Sequence, residues 1–225
     1  MPYPLTRSSH PSFKPPQRRI GLYLLLLLLS LLWAGTASAE RPVVGATEIA
    51  RNQAEAIYSQ NSRALVSGAE ILMQDTLKTG LQSRLQARLL DESVIVMGES
   101  TELLVDEFVY APAAGPKATL ELLRGALLYV GGHLSGDKAK DIQVKTPVAL
   151  LGVRGTRFWV GPIDGATGVL VIQGRVDVNS RFGLVTLRPG EGTMVQANGE
   201  LSHPKTWGEE KKQRALAMTR LDQQP

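Results

Sequence analysis

Short segments that favour β-strands follow one another from Ala69 onward, separated by turn residues at intervals of about eight to twelve positions. Ser83–Leu90 alternates polar and apolar side chains, and Arg175–Val178 does the same. A period of two places successive side chains on opposite faces, which is typical of a strand with one face in water. Val94–Met97 and Glu102–Val109 predict further strands. The pattern therefore predicts an all-β protein.

The end of the chain has a different pattern. Thr206-Trp207-Gly208-Glu209 has the spacing of a helix capping box, and a run rich in lysine and arginine continues to about Leu221. We therefore predict an all-β domain over residues 40–200, with its core at about 60–160, and a helical tail over 201–225. A β-sandwich or jelly-roll-like pair of sheets suits this order, and a short β-solenoid stays open as the alternative.

The first 39 residues have the pattern of a secretory signal peptide. Arg18 and Arg19 precede an apolar core over Ile20–Trp33, and Ala37-Ser38-Ala39 fits the cleavage rule. This core is shorter than the roughly 20 residues that span a membrane. We therefore expect cleavage after Ala39, no stable membrane span afterwards, and a periplasmic or secreted protein.

Charge and cysteine content narrow the function classes. Four of the 25 basic residues lie in the leader, which has no acidic residue, and the remaining 21 balance the 21 acidic residues. This balance argues against nucleic acid as a partner. The absence of cysteine excludes a disulfide scaffold and a lipid-anchored cysteine.

The most informative stretch, residues 146–160, reads TPVALLGVRGTRFWV. Val148–Val153 is an apolar run too short for a helix, and strand-forming residues resume at Phe158. Arg154 stands between them, flanked by Gly152 and Gly155, where the backbone can bend without a Cβ clash. The stretch therefore predicts a strand, a charged turn and a second strand.

This stretch resembles the signature of FecR-type domains, roughly T-P-x-A-x-x-G-[VI]-R-G-T-x-F-x-V. Every fixed position is met, including Thr146, Pro147, Gly152, Arg154, Gly155, Thr156 and Phe158. The resemblance is strong over about 110–160 and weaker from about 45 and to about 195. It implies an all-β domain.

Two signature side chains allow two interpretations each. Arg154 is either a corner clamp, with Thr156 capping the turn, or a ligand contact beside the backbone groups of Gly155 and Thr156. The apolar context favours the clamp. Trp159 is either a core residue or, if exposed next to Pro162, a ligand contact that could stack on a sugar ring.

Candidate catalytic groups are sparse in the sequence. After the leader there are two histidines, His133 and His203, and neither has the spacing of a nucleophile motif or a metal site. The acidic pairs Asp91-Glu92 and Asp106-Glu107 are sequence neighbours, which point to opposite faces of a strand. We therefore expect no enzyme, no cofactor and no metal site.

The resulting hypothesis is an exported, non-enzymatic binding or sensing module of the cell envelope that recognises a protein or a polysaccharide, for example by strand addition at a sheet edge. The resemblance also implies a comparison with regulatory FecR proteins, which join a periplasmic sensor to a cytoplasmic anti-sigma segment. Only about 19 residues precede the apolar core here, so we do not expect sigma-factor control. The alternatives are a secreted carbohydrate-active hydrolase on a β-sandwich and a structural subunit of an envelope assembly.

Overall fold

A computed structural model describes residues 40–111, 115–132 and 141–221 of the chain. The predicted signal peptide and His133 lie outside these residues. The described part forms sixteen strands and one helix: β1 (Val43–Arg51), β2 (Ala54–Tyr58), β3 (Asn61–Ala64), β4 (Glu70–Leu72), β5 (Thr76–Thr79), β6 (Arg84–Leu89), β7 (Val94–Met97), β8 (Glu102–Ala111), β9 (Gly115–Arg124), β10 (Leu127–Val130), β11 (Asp141–Lys145), β12 (Leu150–Ile163), β13 (Ala166–Ser180), β14 (Gly183–Leu187), β15 (Glu191–Val195), β16 (Lys205–Thr206) and α1 (Glu209–Ala217).

All sixteen described strands belong to one hydrogen-bonded sheet that curls into a half-barrel. Its main path runs β3-β2-β5-β8-β9-β11-β12-β10-β7-β6-β1-β4, while β13 leaves the path from β12 and pairs with β14 and β15. Neighbouring strands in the described part are antiparallel, except β9 and β11, which are parallel. The predicted all-β class and the C-terminal helix are confirmed. The strands expected to form a pair of sheets belong to a single curled sheet.

An ionic network joins the two ends of this path. Asp75 is fully buried and accepts hydrogen bonds from Arg41 Nη1 at 2.7 Å, from the guanidinium of Arg63 and from the Leu72 amide at 2.8 Å. Arg63, on β3, also donates from Nη1 to the Glu70 carbonyl oxygen on β4 at 2.6 Å. Because a buried carboxylate is stable only when it is paired and hydrogen-bonded, this network holds β3 and β4 together.

The apolar side chains form two clusters on opposite sides of the sheet. The larger one fills the inside of the curl and includes Phe158 and Val160 of β12. The smaller one lies on the outer side, where Trp159 packs with Leu170 and Trp207 beneath α1. Because successive side chains of a strand point to opposite faces, neighbouring residues of β12 lie in different clusters.

The helix begins differently from the sequence-based prediction. Gly208 is its N-cap and makes no side-chain cap hydrogen bond, while Thr206 lies in β16, so the predicted capping box is wrong. The helix also ends at Ala217 rather than at about Leu221. Packing of the buried Ala215 against the outer cluster takes the place of the cap. Within the described residues, no helix combines the length and apolar character needed to cross a membrane.

Candidate functional site

From Leu150 onward, the signature stretch is one continuous strand with a bulge, not two strands joined by a turn. Arg154 pairs with Arg175 of β13, and Arg157 pairs with Gln173. The two residues between Arg154 and Arg157 therefore face a single residue, Gly174, which is the arrangement of a β-bulge. The expected charged turn is wrong because both flanks of Arg154 keep their pairing with β13.

Two glycines make the bulge possible. Gly155 has φ of +56° and Gly174 has φ of +81°, values that side-chain-bearing residues rarely adopt. A Cβ atom on Gly174 would lie 2.5 Å from the carbonyl oxygen of Gly155, which is too close for any side chain. The backbones of β12 and β13 thus approach each other here more closely than a larger residue would allow.

The two signature threonines have structural roles. Thr146 forms the turn between β11 and β12: its Oγ1 accepts from the Ala149 amide at 2.9 Å and donates to the Ala149 carbonyl oxygen at 2.9 Å. Thr156 is buried, and its hydroxyl donates to the carbonyl oxygen of Arg175 at 3.1 Å. Pro147 is exposed in the Thr146 turn, while Phe158 is buried in the inner core. These contacts stabilise the turn and the bulge.

Trp159 is not available to a ligand. Its side chain is 0% exposed, and its ring lies 6.4 Å from that of Trp207 in an edge-on arrangement. Of the two interpretations, the core residue holds in this fold, because Trp207 and α1 cover Trp159. The sequence did not indicate which residues cover it, because Trp207 lies 48 positions further along the chain.

Arg154, in contrast, projects into solvent. It makes no ion pair and no side-chain hydrogen bond with any described residue, which does not fit a corner clamp. Arg175 lies beside it on β13. Val176 pairs with Leu187, the last residue of β14, and Arg188 follows it at the start of the next turn. We call the three exposed arginines Arg154, Arg175 and Arg188 the arginine row; no pattern in a single segment indicates it.

A cleft lies near the other end of β12. It consists of a cavity of about 370 Å³, bordered by Arg84, Glu99 and Met218, and a cavity of about 220 Å³ bordered by Thr146 and Pro147. Gly125 and Pro162 border both cavities. The second cavity brings the Thr146 turn and Pro162 together, so part of the signature lines the cleft.

The charged residues considered for catalysis are engaged in structural contacts or exposed. Asp91 is buried in a turn, where its Oδ1 accepts from the amide and hydroxyl of Ser93. A hydrogen bond from Lys145 lowers the pKa of Asp106, whose Oδ2 lies 3.0 Å from Nζ of that lysine. His203 is exposed. Across residues 40–111, 115–132 and 141–221 there is no group of three or more potential metal ligands.

Comparisons with known proteins agree with the fold. The model of the FecR protein family matches residues 75–177, which include the bulge. Two crystal structures of a putative anti-sigma factor from Parabacteroides distasonis ATCC 8503 are similar, each with 22% identity and a TM-score of 0.52. Each match covers 63% of this chain and 63% or 64% of the other, so the chain spans slightly less than two thirds of their length. At this identity the likeness concerns the fold alone. No curated protein is a match for the chain.

Proposed function

Because the chain is a FecR domain protein, we propose that it is a non-catalytic binding module of the cell envelope that recognises a protein partner by strand addition at the open edge of β14. A FecR domain is a scaffold on which function depends on the surface it presents. The pattern of the first 39 residues supports export, and the open edge supports binding.

The open edge of β14 is the observation that carries this proposal. Among the described strands, β14 pairs only with β13. Leu184 on this strand is 61% exposed, and Phe182 in the preceding turn is 62% exposed. Exposed apolar residues on an unpaired edge are a liability that proteins ordinarily blunt with charge, so their presence favours a partner strand.

The hydrogen-bonding groups at this edge follow from the hairpin. Ser180 pairs with Gly183 across a two-residue loop. Antiparallel pairs alternate between bonded and non-bonded positions, starting from the bonded pair that closes such a loop. Leu184 and Thr186 therefore direct their backbone N–H and C=O groups away from β13, where an added strand would meet them.

Four carboxyl groups of the described residues are unsuited to the proton-donor role that the hydrolase alternative requires. A glycosidase needs a carboxylic acid with a raised pKa as its proton donor. The pKa shifts of Glu48, Glu102, Asp106 and Asp164 are all downward, and in each case the largest cause is a hydrogen bond from a neighbouring side chain. These carboxyl groups are therefore held as carboxylates.

Site-specific capture tests the proposal. A photo-crosslinking amino acid replaces Leu184 in the full chain, expressed in cells, and captured proteins are identified by mass spectrometry. Thr186→Pro removes the outward N–H, whereas Thr186→Val keeps it and loses only the hydroxyl bond to Asp177. We expect one reproducible partner that Thr186→Val retains and Thr186→Pro loses. Capture that is equal in both variants, or absent from both, would contradict strand addition.

A further inference from the structure

We infer that the outer face of β12, β13 and β14 carries a separate site at which the arginine row binds the carboxylates of an anionic polysaccharide. This site lies on the face of the sheet, whereas the proposed protein partner adds to its edge. The two sites can therefore fail independently.

The row is a geometric consequence of strand pairing. Arg154 and Arg175 are directly opposite each other, and Arg188 follows Leu187, which pairs with Val176. Neighbouring strands are about 4.8 Å apart, so the Arg154 and Arg175 side chains lie at about that spacing, and Arg188 extends the row past the end of β14. Arg157, exposed beyond the bulge, adds a fourth positive charge on β12.

These arginines have no ion-pair partner within the described part of the chain. None of the four takes part in an ion pair or a side-chain hydrogen bond there. Like charges directly opposite on a sheet are destabilising, and Arg154 and Arg175 have that arrangement. A bound anion would remove this repulsion, so the face is better suited to the bound state than to the free state.

The neighbouring acidic side chains already have hydrogen-bonding partners. Asp177 follows Arg175 by two positions, and its Oδ1 accepts from the Thr186 hydroxyl at 2.7 Å. Glu191 accepts the backbone amide of Arg188 at 2.9 Å through Oε2. Both contacts hold backbone or neutral groups, so the guanidinium groups stay open to a ligand.

Charges on β8, β9 and β11 are paired. Lys117 lies 3.1 Å from Glu107, and Lys145 lies 3.0 Å from Asp106. Carboxylates around Lys145 raise its pKa, with the hydrogen bond to Asp106 as the largest cause. The arginines of the row have no such ion pairs with the described residues.

The chemistry of the row selects the ligand. Guanidinium groups bind carboxylates in a bidentate manner, which favours an acidic polymer. A linear polymer of sugar acids carries a carboxylate on every ring, so several arginines can be engaged by one chain. Same-face side chains of an extended peptide recur at about 6.6 Å, which exceeds the spacing of about 4.8 Å between Arg154 and Arg175. Single-stranded nucleic acid favours stacking aromatics, which the row lacks.

Titration with polygalacturonate, a linear polymer of a sugar acid, tests this inference on the full chain. The test variant is Arg154→Gln with Arg175→Gln. The control is Arg88→Gln with Arg124→Gln, which removes the same charge from arginines that are also exposed but paired with Glu48 and Glu102. Methyl-esterified polygalacturonate and polyglutamate are the comparison ligands.

We expect polygalacturonate to bind, and affinity to fall about tenfold or more in the test variant but little in the control, since a hydrogen bond to a charged group changes an equilibrium by about that factor. Thr186→Pro, which blocks the edge, should leave this binding intact. No binding, equal losses in both double variants, equal binding of the methyl ester, or preferred binding of polyglutamate would overturn the inference. Melting curves establish that the variants are folded.

Discussion

The outer face of β12 and β13 has two halves that differ sharply, although the same two strands build both. Beyond the bulge, Trp159 and Leu170 lie under Trp207 and α1 and are buried. Before the bulge, Arg154 and Arg175 lie side by side in solvent. One half thus belongs to the core, and the other is a free surface.

The side chains account for this difference. Apolar residues on the covered half gain by removal from water, which attracts the C-terminal segment. Arginines on the bare half would lose hydration under such a cover, and no ion pair with a described residue would compensate for that loss. The comparison indicates that stability is concentrated in the covered half, and that the bare half is available for binding.

Removing the Trp159 side chain should have the largest effect on stability, and it tests the difference between the two halves. Trp159→Ala leaves a cavity between the sheet and α1, and we expect it to lower the free energy of unfolding by about 3–5 kcal/mol. Arg154→Ala, on the bare half of the same strand, should change it by no more than about 1 kcal/mol. Urea denaturation measures both, and similar losses would show that the two halves do not differ as described.

The bulge that separates the halves should be the next most sensitive feature. Gly174→Ala places a Cβ atom 2.5 Å from the Gly155 carbonyl oxygen at φ of +81°, so we expect a loss of about 3 kcal/mol. Gly155→Ala meets nothing within 4 Å and has only its φ of +56° to accommodate, so we expect about 1–2 kcal/mol. Thermal or urea unfolding curves measure the loss of stability in each variant. A larger loss for Gly155→Ala than for Gly174→Ala would mean that the close approach at Gly174 does not limit the residue at that position.

Much of the fold could be predicted from local pattern. Alternation in Ser83–Leu90 indicated a strand, and β6 occupies most of that segment. Val94–Met97 coincides with β7. Such strands are predictable because alternating apolar and polar residues within one short segment indicate alternating burial. The change from strand to helix near the end was visible for the same reason.

The features that were missed depend on residues far apart in the chain. Arg154 looked like a clamp because its sequence neighbours are apolar, but those neighbours face the opposite side of the strand. Trp159 is covered by a residue 48 positions away, and Arg188 reaches Arg175 only through a hairpin. The site was therefore predictable as a motif but not as a surface.

Removing a charge from the arginine row should have a small stabilising effect, whereas the substitutions above destabilise the protein. Arg175→Gln relieves repulsion with Arg154, and we expect it to raise the free energy of unfolding by about 0.2–1 kcal/mol at low salt. The gain should shrink as salt is added, because exposed charges are screened. Urea denaturation at two ionic strengths measures it. A loss of stability at low salt would mean that Arg175 is held by favourable contacts.

The ion pairs that attach α1 to the sheet should make the smallest contribution to the free energy of unfolding. This contribution depends on pH. Asp164, in the turn between β12 and β13, lies 2.8 Å from Lys211 and 2.9 Å from Arg214 of α1. The hydrogen bond from Lys211, followed by that from Arg214, lowers the pKa of Asp164. Since the pKa is lower in the folded state, this contribution to stability is complete above the ordinary aspartate pKa of about 3.9 and is lost as pH falls through the lowered value.

Asp164→Asn should therefore flatten this part of the acid dependence and have no further effect below the lowered pKa. Stability measured by urea denaturation from neutral pH to below about pH 3 compares the two proteins. Asp177→Asn is a matched control, since Asp177 lies on the bare half and has no ion pair with the described residues. Parallel curves for the original chain and Asp164→Asn would show that the ion pairs do not contribute to holding the helix on the covered half.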